Sequence, residues 1–98
     1  MTREEVLNAA RQCVCSDRES QYGNPESNFE TIADFWNVYL EAADKLLSSI
    51  EAADVAAMMG LLKLARIATG KNKSDNWIDL AGYAACGGEI QGGANGNE

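Results

Sequence analysis

The sequence has no histidine, a single proline, three cysteines and only 7% aromatic residues. Without imidazole, His-based zinc sites and every Ser/His or Cys/His catalytic arrangement are excluded. Cys13, Cys15 and Cys86 are odd in number. The C-x-C spacing of the first two is not the C-x-x-C that closes on zinc or works as a redox pair, so the thiols read as reduced and structural. No apolar run approaches the roughly 20 residues of a membrane span, and the N-terminus lacks the basic-then-apolar layout of a signal peptide. The expectation is a cytoplasmic protein with no membrane contact, whose chemistry must use carboxylates, Lys, Arg, Tyr or backbone groups.

What is present is a chain of 98 residues, 46% of them hydrophobic, which suits one domain with a single modest core. With few aromatics that core must be mostly Ala, Leu, Ile, Val and Met, a composition that favours helices. The net charge of -7 repels a phosphate backbone, so direct DNA binding is not expected. An acidic decoy that occupies another protein's nucleic-acid-binding surface stays open.

Four helices can be placed. Thr2 and Glu5 form a T-x-x-E capping box. It opens a first helix over about Glu4 to Asp17, with Val6, Leu7, Ala10, Cys13 and Val14 at helical spacing. In Tyr22-Gly23-Asn24-Pro25 the glycine suits a turn, the asparagine a cap and the proline a first helical position. A second helix over about Pro25 to Leu47 carries Phe29, Ile32, Ala33, Trp36 and Leu40 as its inner stripe. A third, about Glu51 to Ala68, carries Val55, Met58, Met59, Leu62 and Ala65, with Gly70 expected as a left-handed cap. A fourth runs over about Ser74 to Ile90, with Ser74 as N-cap and Asp75 in the first turn. The short link between the last two makes them an antiparallel hairpin, with Gly60 opposite Gly82 or Tyr83. Residues 1–91 read as a single helical domain and 92–98 as a Gly/Asn-rich, disordered tail.

Three constellations stand out. Glu26 and Glu30, Glu51 and Asp54, and Asp75 and Asp79 each place two carboxylates on one helical face. Glu26, Glu30, Asp54, Asp75 and Asp79 are therefore candidate ligands for magnesium, the one cofactor this composition suggests. Acids in first turns also simply suit the helix dipole, and Asp79 alone escapes that explanation. Lys63 and Arg66, followed by Lys71 and Lys73, form a candidate phosphate-binding patch. Hairpin register offers the alternative of an ion pair with Asp79 and an arginine packed on Trp77. Finally, Arg18, Tyr22 and Asn28 flank the turn before the second helix, where neither capping nor periodicity calls for them, so they are candidates for contact with a nucleotide or partner.

The blocks "YGNPESNF", "FWNVYL", "DVAAMMGLLKLARIATG" and "DNWIDLAGYAACGGE" together resemble a family of short tailed-phage and prophage proteins, domain of unknown function 6378. The resemblance covers about Arg18 to Glu89 and implies a phage-encoded helical protein without an assigned activity. In that family the third helix usually starts with Ser or Thr at the position held here by Glu51. A more distant similarity is to the all-helical nucleoside triphosphate pyrophosphohydrolases of the MazG type, which hold magnesium between helices with E-x-x-E and E-x-x-D motifs and commonly assemble their sites across a dimer. Here E-x-x-E is replaced at best by Glu26-x-x-x-Glu30.

The expectation is thus an all-α four-helix bundle, a likeness to MazG included, that gains from forming a homodimer. Its function is read as that of an acidic accessory protein binding a host protein or a small nucleotide without turnover, as an inhibitor or sponge acting against host defence. The alternative is a magnesium-dependent triphosphate pyrophosphohydrolase.

Overall fold

The computed structural model describes residues 1–17, 25–70 and 74–92. Among them every regular element is helical: α1 Arg3–Gln12, extended by a π-helical turn Cys13–Asp17, then α2 Pro25–Ala42, α3 Ala52–Thr69 and α4 Ser74–Gly92. The four-helix, all-α expectation holds, and α3 and α4 form the most extensively packed pair.

The predicted capping box closes α1. The Thr2 hydroxyl accepts from the Glu5 N–H at 3.1 Å, and the Glu5 carboxylate accepts from the Thr2 N–H at 2.7 Å. Those two bonds with Thr2 hold the Glu5 carboxyl below its ordinary range, so this contribution is present near neutrality and fades as pH falls through the lowered value. Ala10 is buried, and Val6 and Val14 are half-buried. Leu7 and Cys13 were expected on the same stripe, yet both are exposed. The π turn adds a residue to the ladder at Cys13, which shifts the helical phase from that point on and leaves Val14 as the inward residue.

The second helix stops at Ala42 rather than Leu47. The stop is a Schellman motif: Lys45 N–H donates to Leu40 O at 2.8 Å, and Asp44 N–H to Glu41 O at 3.0 Å. Asp44 holds the left-handed position, φ 60°, that glycine normally takes. Aspartate tolerates this conformation but still carries a Cβ penalty, and its charge faces the negative end of the helix dipole. Asp44→Gly is therefore expected to raise stability by about 0.5–1 kcal/mol, read as a higher urea midpoint at unchanged slope. A lower midpoint would contradict this account of the helix end.

The hairpin register is fixed by three contacts. Lys63 Nζ lies 2.9 Å from Asp79 Oδ2, a Cβ on Gly60 would lie 3.4 Å from Leu80 Cδ1, and a Cβ on Gly87 would lie 3.1 Å from Ala56 Cβ. Gly87 thus makes room for Ala56 on the facing helix. This register sets Gly60 level with Gly82 or Tyr83, as expected, but the two glycines are not in close contact: Gly82 receives Val14, whose Cγ1 would be 3.0 Å from an added Cβ. Gly70 differs as well: its φ of -103° is not left-handed. Glycine is needed there because an added Cβ would meet the Arg66 carbonyl oxygen at 2.9 Å. Ser74 is already helical, so the cap position of α4 falls outside the described residues, as does the predicted tail from 93 onward.

α2 lies antiparallel along α3. Near its C-terminal end Asn37 bonds Ile50, just before α3, while Phe29 meets Tyr83 near the level of Gly60. Phe29, Ala33, Ala52, Val55, Ala56 and Cys86 make the buried core, with Ile32, Trp36 and Met59 packed around it. Among the described residues only Phe29 and Val55 are large and fully buried, so the core is built chiefly from small side chains. Three of the five residues of the predicted third stripe look outward: Met58 and Leu62 are each 40% exposed, and Ala65 is exposed as well. No helix among the described residues is long and apolar enough to cross a membrane.

Candidate functional site: an acidic groove between two helices

The antiparallel placement of α2 on the start of α3 leaves an open groove of about 860 Å³. Four carboxylates line it: Glu30 and Asp34 at i, i+4 on α2, and Glu51 and Asp54 at the entry to α3. Ile50 and Ile90 supply apolar surface, and among the described residues no lysine or arginine contributes to the lining. Asp54 also accepts from the Glu51 N–H at 2.9 Å, so the E-x-x-D element serves as a helix cap. Thus Glu51 occupies the N-cap position of α3, with Asp54 completing the cap.

The fold divides the five predicted magnesium ligands. Glu30 and Asp54 share the groove, whereas Glu26 does not line it. Asp75 begins α4 at the opposite end of the hairpin. Asp79 is level with Lys63, and the rise from Asp54 to Lys63 along α3 is about 13 Å. Ligands of one magnesium ion must all lie about 2 Å from it, so these five acids cannot be its shell. Among the described residues no group of three or more His, Cys, Asp or Glu could hold a metal ion. The donor set therefore does not fit the magnesium that a MazG likeness implies.

The basic candidates are also dispersed. Lys63 and Asp79 neutralise each other across the hairpin, with side chains 12% and 39% exposed, which bears out the ion-pair alternative. Arg66 is exposed and Trp77 is 50% exposed, with no cation–π pair between them among the described residues. Asn28 is half-buried in the first turns of α2. Arg18, Tyr22 and Lys71 lie outside the described residues.

Asp34, which lines the groove, and Asn37, which bonds the lining residue Ile50, escape a reading of the sequence. Asp34 carries a signal, since it follows Glu30 by four positions on the same helical face. Asn37 carries none. Its side-chain amide donates to Ile50 O at 3.0 Å and accepts from Ile50 N–H at 2.8 Å, bonds made across the loop between α2 and α3 that set the groove wall.

The chain is 39% identical over 83 residues to the Gene 55 protein of Mycobacterium phage D29, covering 85% of this chain and 51% of that protein. It is 34% identical over 79 residues to the Gene 55 protein of Mycobacterium phage L5, covering 81% of this chain and 47% of that one. The chain thus spans about half the length of the curated relatives it matches. No solved structure matches it. Residues 5–91 match the domain of unknown function DUF6378, and the chain belongs to that family of phage proteins.

Proposed function

We propose that the protein works by binding without turnover, and that its acidic groove receives a cationic segment from the nucleic-acid-binding surface of a host protein. The observation that carries this reading is the lining of the groove: Glu30, Asp34, Glu51 and Asp54 converge there, with no cationic side chain beside them among the described residues. Such a field attracts Lys and Arg and repels a triphosphate. The lysine in the middle of the hairpin is occupied by Asp79. A net charge of -7 favours the same class of partner, steering a basic surface toward the protein before contact. Occupying that surface would blunt a host defence protein that acts on nucleic acid.

A second reading, triphosphate hydrolysis, is favoured by one fact only: Glu30 and Asp54 reach the same groove from different helices. One set of variants separates the two. Glu30→Gln/Asp34→Asn changes two exposed groove acids and leaves the helix cap intact. Binding predicts that host proteins captured by the wild type are lost with this variant. They are also expected to be displaced by duplex DNA and released near 1 M salt, where screening acts over about 3 Å. Capture that survives both the variant and salt would defeat the reading. Pyrophosphate released from triphosphates by the wild type with magnesium, and not by Glu30→Gln, would establish hydrolysis instead.

A further inference from the structure

Outside the groove, the largest unexplained feature is apolar. On α2, Phe35, Val38 and Tyr39 are 71%, 69% and 65% exposed; on α3, Met58, Leu61 and Leu62 are 40%, 63% and 40% exposed. Both sets recur at i, i+3 and i+4, one continuous stripe on each helix. α3 already spends one face on α4, through Ala56, Gly60 and Lys63, and another on the core, through Val55 and Met59. A helix that stays apolar on a third face belongs in an interior, and the described residues do not supply one.

We infer that a second copy of this chain covers that face, with Phe35, Val38 and Tyr39 of each copy packed on Met58, Leu61 and Leu62 of the other. Three observations select a second copy over a foreign partner. The stripes match in spacing and differ in chemistry: flat aromatic surface on one, adaptable Met and Leu on the other. They lie at different heights on an antiparallel pair. Phe35 is near the start of α3, beside the Asn37–Ile50 contact, and Met58 is near the level where Phe29 meets Tyr83. A two-fold axis between those heights brings each stripe over the other and satisfies both twice, as an isologous interface requires. Lastly, six such side chains at these exposures present on the order of 700 Å² per copy, close to the roughly 800 Å² of a standard stable interface. None of the six is charged, so the acidic net charge is not forced into the contact.

The test uses charge pairs in the full chain. Wild type is expected at twice the monomer mass in sedimentation equilibrium. Phe35→Lys alone and Leu61→Glu alone each bury two uncompensated charges per dimer and are expected to be monomeric. Mixed in equal amounts, they set the introduced lysine of one chain against the introduced glutamate of the other, and the opposite contact stays wild type, so the dimer returns. If either variant loses its helical circular dichroism, the pair Val38→Lys and Leu62→Glu replaces it in the same experiment. A monomeric wild type, a single variant that still dimerises, or a mixture that stays monomeric overturns the inference; the last result would mean like stripe on like stripe, or a foreign occupant.

Discussion

Phe29→Ala is expected to destabilise the domain by about 3–5 kcal/mol, the range for a fully buried phenylalanine cut back to a methyl. The figure is large against a total of about 5–15 kcal/mol for ordinary domains, and a chain of this size falls at the lower end. Three features place the loss here rather than elsewhere. Phe29 is 1% exposed and, with Val55, is one of two large side chains that are fully buried among the described residues. Its neighbours in the core, Ala33, Ala52 and Ala56, are too small to collapse into the space it leaves. Its ring also packs against Tyr83 on α4, with centroids 6.1 Å apart and planes tilted by 36°, a contact that ties α2 to the hairpin. Urea unfolding at low protein concentration is expected to show the midpoint falling by more than half, or no cooperative transition at 25 °C. Phe35→Ala provides the contrast. With 71% of its surface exposed, its loss should leave the low-concentration midpoint within about 0.5 kcal/mol of wild type. Equal losses at Phe29 and Phe35 would mean that α2 does not present the face described here to the hairpin.

That contrast also marks how far the sequence could be read. The 3.6 period on α2 picked out Phe29 and Ala33 as inward, and both are buried, but it did not single out the second, exposed stripe at Phe35, Val38 and Tyr39. On α3 the period failed as a guide: the helix is apolar nearly all round, so Met58 and Leu62 scored as core although they look outward. Helix starts were legible at Thr2 and Pro25, where capping chemistry is local. The end of α2 was not, since the Schellman position is held by Asp44 and no glycine announces it. The hairpin was legible, and so was the Lys63–Asp79 pair that its register implies. The level of Gly60 against Gly82 or Tyr83 was legible too, whereas the use made of Gly82 was not, because it makes room for Val14, a residue of another element. The acids show the same division. Spacing along one helix found Glu30, Glu51 and Asp54, but which pairs meet depends on how α2 crosses α3, and no local pattern encodes that crossing.

Asn37 is the residue on which that crossing turns. Between Ala42 and Ala52 the chain is not helical, and Ile50, half-buried beside the core, finds partners for both its backbone groups on the Asn37 amide. The side chain stands in for a neighbouring strand: it accepts the Ile50 N–H at 2.8 Å and donates to the Ile50 carbonyl at 3.0 Å. Asn37→Leu keeps the bulk and removes both bonds, leaving a donor and an acceptor unsatisfied in a partly dry site. At about 1–3 kcal/mol for each such group, reduced by partial access to water, the expected loss is about 2–4 kcal/mol. Asn37→Asp keeps the acceptor and loses the donor, so it should fall between Asn37→Leu and wild type. The amide of Ile50 is the direct reporter, and its hydrogen exchange is expected to quicken roughly 10–100-fold in Asn37→Leu. Glu51 and Asp54 come directly after Ile50 in the chain, so the groove should lose its shape as the clasp opens. Binding that depends on Glu30 and Asp34 should then weaken although no groove carboxylate has been touched. An Asn37→Leu protein with wild-type stability and a protected Ile50 amide would show that α3 is positioned without the clasp, leaving α2 free to shift along it.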